Sequence, residues 1–288
     1  MKRNRQREKI RTMLSIANKE LKRKRTVAMV YLLLRVSVLA IMVAQFFNGN
    51  FENVFLCVLT LILFLLPTVF ERKMRVDLPN TLEIIIMLFI YAAWILGEIQ
   101  AFYTTYKGWD TMLHTLNGFL CAAIGFSLVD MLNREERFSL ELSPAFMAIV
   151  AFCFSMTIGV LWEFFEFSVD QLLLFDMQKD AVVHNISSVM LDPTGGNKQI
   201  VIRDITDVIV VAGGQEIALG LGGYLDVGIW DTMKDLWVNF IGAVVFSLIG
   251  YFYVKSRGKG WFARRFIPQI VEDQLEQIEE KNFEDKPE

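Results

Sequence analysis

Six apolar blocks dominate the chain, at roughly 27–47, 53–70, 81–101, 111–131, 145–168 and 236–254. Each runs to about twenty residues, enough to cross the ~30 Å hydrocarbon core of a bilayer. A soluble domain would spread its apolar residues through amphipathic patterns instead. In lipid a segment must satisfy its own backbone, so blocks this long and continuous are expected to be helices. The expected fold class is all-α: a polytopic membrane protein, a six-transmembrane-helix bundle with a small external β-hairpin loop and an amphipathic C-terminal helix.

The blocks divide the chain into a basic arm (1–26), a membrane domain (27–254) with one insertion (171–230), and an amphipathic, acidic tail (255–288). The first block begins only near Thr26 and no small-residue cleavage motif follows it, so it reads as a span rather than a signal peptide. Cys57, Cys121 and Cys153 each sit inside an apolar block without pairing or metal spacing and are expected as small core residues.

Charge orients the spans. Residues 1–25 carry eleven Lys/Arg against two Glu. Segments 71–80, 132–143 and the tail after Lys255 hold most of the other basic residues. Segments 48–52 and 102–110 hold one, Lys107, and the sixty residues of 171–230 hold three. By the positive-inside rule both termini are cytoplasmic and 171–230 is extracytoplasmic. The basic arm suits anionic lipid headgroups, and with no recognition motif beside it, nucleic acid is not an expected partner. The expected location is a bacterial cell membrane.

Within 171–230, two β-prone runs flank Pro193-Thr194-Gly195-Gly196 and predict a hairpin. The later AGGQEIALGLGGYLDVG reads as a re-entrant or surface loop. In the tail, Trp261, Phe262, Phe266, Ile267, Ile270, Val271, Leu275 and Ile278 recur at near-helical spacing, which predicts an interfacial amphipathic helix.

Polar residues interrupt the apolar blocks in a pattern. In LWEFFEFSVD, Glu163, Glu166 and Asp170 fall at roughly 0°, 300° and 340° around a helix and share a face. Asp110, His114 and Asn117 do the same in WDTMLHTLNG. Asp231, Asp235 and Asn239 lie along one side of WDTMKDLWVNF, and Glu98 ends the third block. Loop charges alone put all four clusters in the outer half of the membrane. Seven carboxylates at one depth must protonate, pair with cations or bind metal. Carboxylate and Asn oxygens suit Mg, Mn or Ca, and the histidine also admits Zn or Fe. The candidate ligands are Asp110, His114, Glu163, Glu166, Asp170, Asp231 and Asp235; Glu163, Glu166 and Asp235 are also candidate catalytic carboxylates, and Glu98, Asn117 and Asn239 are supporting residues. The bland alternative is interhelical hydrogen bonding and interfacial solvation. Arg35, in mid-span, calls for either a buried partner or a snorkelling side chain, and Glu83 is expected as a surface carboxylate.

Together, WDTMLHTLNG, LWEFFEFSVDQ and GGYLDVGIWDTMKDLWVNFIGA resemble the YjdF-like bacterial inner-membrane proteins, a family without an established activity, over roughly residues 80–250. The resemblance implies fold and location and no chemistry. Asp231-x3-Asp235-x3-Asn239-x2-Gly242 is also somewhat similar to the final motif of VanZ-like membrane proteins. The Asp-x3-Asp helix of CDP-alcohol phosphotransferases is excluded as a parallel, because their preceding Asp-x2-Asp-Gly and Ala-Arg elements are missing. Three readings stand: a metal-dependent enzyme acting on a lipid or lipid-linked substrate, a cation or proton transporter, and a non-catalytic membrane scaffold.

Overall fold

A computed structural model of the chain describes residues 2–74, 76–134, 141–256, 260–267 and 269–270. The apolar blocks are helical: Lys2–Phe47 (α1), Phe51–Leu63 (α2), Leu66–Met74 (α3), Asn80–Tyr91 (α4), Phe102–Thr105 (α5), Trp109–Arg134 (α6), Pro144–Leu173 (α7) and Ile229–Lys255 (α8). Among the described residues, six stretches are long and apolar enough to span a membrane: Arg25–Phe47, Phe51–Lys73, Asn80–Ile99, Trp109–Asn133, Pro144–Leu173 and Ile229–Lys255. The last two extend beyond the apolar blocks, so Asp170, Asp231 and Asp235 ride on helix rather than loop.

Local chemistry sets the ends and breaks. Pro144 opens α7 behind Ser143, whose hydroxyl accepts the Phe146 N–H, a cap that satisfies one of the free donors of a first turn. Gly228, at φ +79°, turns the chain into α8. The second span is broken between Leu63 and Leu66, where Pro67 removes the N–H a continuous helix needs. Ala92–Ile99 continues α4 as a π-helix, a wider turn that often marks functional positions.

Two lobes share α4. In the first, α6, α7 and α8 pack around Leu120, Phe126, Met147, Ala151, Ala243 and Phe246, with Leu82 of α4 joining them. Small residues let these helices touch backbone to backbone. A Cβ on Gly118 would collide with the Asn239 carbonyl, and one on Gly242 with the Thr115 carbonyl, as at close-packed membrane crossings. The second lobe buries Val38, Cys57, Phe64, Met87, Ile90 and Ile95 between α1, α2 and α4. Cys153, by contrast, is exposed on the outside of the bundle rather than in a core.

The strand β1 (Val76–Asp77) lies at the end of the bundle where α4 starts. The insertion, at the other end, is a set of three antiparallel pairs rather than one hairpin: β2 (Ala181–Val183), β3 (Ile186–Ser188), β4 (Ile200–Ile202), β5 (Ile209–Ala212), β6 (Gln215–Ala218) and β7 (Tyr224–Asp226). The β3–β4 pair flanks the expected turn, with Ile186 opposite Ile202. The β5–β6 pair turns at Gly213 and Gly214, at φ +59° and +78°, the double left-handed turn that suits a two-residue hairpin. Its eight residues are all exposed. The β2–β7 pair, with Ala181 opposite Asp226, closes the insertion next to α8.

The tail departs from expectation where it is described. Residues 260–267 form turns and a short helical turn (Ala263–Arg265), not an amphipathic helix, and β8 (Gln269–Ile270) pairs with β1. Ala263, Phe266 and Ile267 are buried in the first lobe's core: these apolar residues found protein, which removes more surface from water than an interface would. Residues 271–288, including Val271, Leu275 and Ile278, lie outside the described residues, as do Met1 and 135–140.

Candidate functional site

The polar clusters of α6, α7 and α8 meet at the end that carries the insertion, and His114 is their centre. Its Nε2 lies 3.4 Å from Asp110 Oδ1 one turn back on α6 and 3.7 Å from Asp235 Oδ2 of α8. Its Nδ1 faces Glu163 Oε1 of α7 at 3.9 Å. One ligand atom each from Asp110, His114 and Asp235 can be chosen so that all lie within 4.8 Å of one another. Glu163 and Asp235 are 5% and 1% exposed, yet Glu163 Oε2 and Asp235 Oδ1 accept no hydrogen bond among the described residues. Buried carboxylate oxygens are costly without a donor or a cation.

Lys234 supplies part of the compensation. Its Nζ lies 3.0 Å from Asp110, 3.2 Å from Asp231 and 3.5 Å from Asp235. The lysine side chain is 45% exposed, so it reaches the cluster from the rim rather than from within it.

A cavity of about 40 Å³ adjoins the cluster, lined by Asp110, His114, Glu98, Glu166, Tyr103 and Lys179 among others. A water needs about 10–15 Å³ of such space, so the chamber suits an ion and a few waters. Glu98 reaches it from the end of the π-helix. Glu166 also lines it while accepting the Trp162 indole N–H at 2.8 Å. Tyr103 comes from α5, whose start is set by Ala101 in a left-handed conformation (φ +56°). Its ring packs where a side chain on Gly97 would otherwise stand. Burial, with Glu98, Asp110, Glu166 and Asp235 around it, pushes the Tyr103 phenol above its ordinary range, so it stays protonated and available as a donor.

Below the chamber, Asn117 Nδ2 donates to Asn239 Oδ1 at 3.2 Å, tying α6 to α8. Asn239 Nδ2 meets Met156 Sδ of α7 at 3.6 Å, and Ser155 donates to the Gly118 carbonyl at 2.7 Å. This layer fixes the three helices that carry the carboxylates.

Two expected ligands are engaged elsewhere. Both oxygens of Asp170 accept backbone N–H groups, from Met177 at 2.6 Å and Gln178 at 2.8 Å. Asp231 accepts the Lys179 N–H at 2.9 Å through one oxygen and Lys234 through the other. Gln178 Nε2 donates to Thr232 Oγ1 at 2.5 Å. These bonds fasten the start of the insertion across α7 and α8. Glu163, Glu166 and Asp170 share a helix face as spacing predicts, but only the first two turn to the cluster. Spacing alone did not single out Tyr103, Gln178 and Lys179. The available signal was that Lys179 is one of only three basic residues between α7 and α8. His184 is exposed and makes a contact with the Ile205 carbonyl at 3.2 Å, away from this cluster.

The helices and the buried polar cluster define a polytopic integral membrane protein. More specifically, the chain belongs to the family described as "Predicted membrane protein (DUF2238)", matched over residues 29–256. It is similar to an uncharacterized protein of Thermotoga maritima, 27% identical over 107 residues, or 37% of this chain and 53% of that protein. The chain therefore spans about half the length of that relative. No solved structure matches.

Proposed function

We propose that Asp110, His114 and Asp235, with Glu163 beside them, hold a divalent cation, and that the protein is a metal-dependent enzyme acting on a lipid or lipid-linked substrate. The observation that carries this reading is the convergence of two carboxylates and an imidazole within 4.8 Å, with Glu163 Oε2 buried and lacking a donor among the described residues. One nitrogen and two carboxylate ligands suit Mn or Zn better than the all-oxygen preferences of Mg and Ca. Such an ion would supply Lewis acidity beside the chamber, which would lower the pKa of a water there. Glu166, on the chamber wall, is the candidate general base. Asp170 and Asp231, turned to the backbone and to Lys234, are not in the proposed ligand set. Lys179 and Lys234 at the rim suit an anionic group such as a phosphate. The distribution of Lys and Arg among the loops supports an extracytoplasmic site, both termini in the cytoplasm and a bacterial cell membrane as the location.

One observation favours a second reading. Lys234 already meets three carboxylates, and an internal cation of this kind serves a metal-free scaffold as well. Metal analysis of protein purified in mild detergent separates the two. The enzyme reading expects about one Mn or Zn per chain, lost in His114→Ala and retained in Asp170→Asn. Metal-free wild-type protein after incubation with Mn and Zn would sink it and leave the lysine-compensated scaffold.

A further inference from the structure

Arg35 lies ten residues beyond Arg25 in the first span, roughly 15 Å along a helix. An arginine at such depth is expensive and rarely idle. Its guanidinium stacks on Tyr31, with Cζ 4.1 Å from the ring centroid, and Nη2 donates to the Tyr31 oxygen at 3.0 Å. Tyr31 in turn donates to the carbonyl of Phe64, at the break of the second span. Among the described residues Arg35 has no carboxylate ion pair, and most of its five N–H groups are left for another acceptor. Irregular backbone at membrane depth persists only where protein or a polar cavity covers it.

Such a cavity is present. It measures about 440 Å³ and lies between α1, α3 and the start of α4, at the end of the bundle opposite the acidic site. The volume falls within the ~300–1,000 Å³ of small-ligand sites. Arg35, Tyr31, Thr68, Glu71, Asp77 and Glu83 are among the residues that line it. Ala28 and Leu32 also line it, and Leu32 is 63% exposed, which leaves this side of α1 open to acyl chains.

The lining charges select a ligand. Arg35 calls for an anionic group and Glu71 for a cationic one. A headgroup carrying both signs satisfies both. Asp77 and Glu83 already engage other partners. Glu71 accepts the Leu78 N–H at 3.0 Å through one oxygen, and among the described residues it has no ion-pair partner. We propose that this cavity binds the headgroup of a phosphatidylethanolamine-type lipid, its phosphodiester on Arg35 and its ammonium on Glu71. Bidentate pairing of guanidinium with phosphate gives the first contact its strength. The second contact needs an N–H donor, which a trimethylammonium headgroup lacks.

The test is native mass spectrometry of full-length protein from mixed micelles holding equal phosphatidylethanolamine, phosphatidylglycerol and phosphatidylcholine. Wild-type protein retains phosphatidylethanolamine preferentially. Arg35→Gln lowers that retention about tenfold, as loss of a charge-assisted hydrogen bond implies, while the metal content of the distant acidic site is unchanged. Glu71→Gln removes the preference for phosphatidylethanolamine over phosphatidylcholine. Equal retention of the three lipids by wild-type protein, or a preference for phosphatidylglycerol, overturns the proposal. Displacement by soluble phosphoethanolamine as readily as by the lipid would make the ligand a free metabolite instead, and also overturns it. Should Arg35→Gln fail to fold, Glu71→Gln decides alone: an unchanged preference is fatal.

Discussion

The two polar places in this bundle are built on opposite terms. The acidic site draws side chains from three helices onto one histidine and leaves a chamber of only about 40 Å³. The Arg35 cavity has one intramembrane cation, a broken helix beside it and about 440 Å³ of space. The first has more negative charge than its neighbours compensate and room for little beyond an ion. The second has both signs and room for a headgroup. In a membrane, the size of the space around a buried charge constrains its ligand as strongly as the charge does.

The comparison can be broken most forcefully at the helix crossing. Gly242→Val places a side chain where the Thr115 carbonyl stands, and backbone cannot yield as a flexible side chain does. Overpacking of this kind costs about 3 kcal/mol. Thermal unfolding in detergent should show it, with metal binding lost at the same time. If the variant is as stable as wild type, the acidic site does not depend on that close approach.

A smaller effect is expected at the other place. Tyr31→Phe removes the donor to the Phe64 carbonyl and the acceptor that holds Arg35. The expected cost is about 1 kcal/mol, seen as a modest fall in melting temperature alongside weaker lipid retention. A variant that melts lower but keeps its lipid would show that Tyr31 serves only the helix break.

The smallest effect lies in water. Asp192 accepts hydrogen bonds from Thr194, Gly196 and Lys198, with Thr194 foremost, and its pKa is lowered from 3.8 to about 2. A depressed carboxylate stabilises the folded loop above its unfolded pKa, and that contribution is lost as pH falls through the folded value. The Gly196 and Lys198 amide signals should therefore shift as pH drops from 3.8 towards about 2, by NMR, and should not do so in Asp192→Asn. The bundle, whose carboxylates face His114 and Lys234, sets the contrast.

Much of this architecture was legible in the sequence because hydrocarbon permits so few alternatives. The apolar blocks had to be helices, and Glu163, Glu166, His114 and Asp235 stood out because lipid penalises them. The face shared by Glu163, Glu166 and Asp170 was legible too. What each carboxylate meets was not: Asp170 turns to the backbone of Met177 and Gln178, a contact set by how the chain leaves α7. The three strand pairs of the insertion are three or four residues long, and their register depends on partners up to forty-odd positions away, as between Ala181 and Asp226. Glu83, expected at a surface, is half-buried and lines the larger cavity, whose walls come from three separate helices that no single stretch reveals. Phe266 and Ile267 had the spacing of an interfacial helix and instead completed a core.

One helix belongs to both places. Leu82, near the start of α4, is gripped by the first lobe, and Met87 and Ile90 by the second, before the chain widens into its π-helical turns and ends at Glu98. Glu83 lines the lipid-sized cavity; Glu98 lines the acidic chamber. The same piece of backbone is thus a crankshaft with a journal in each bearing. Any axial slip at one bearing has to be delivered to the other or taken up as slack in the wide turns between Ala92 and Ile99. Glu83 and Glu98, one at each place, are therefore carried on a single run of backbone.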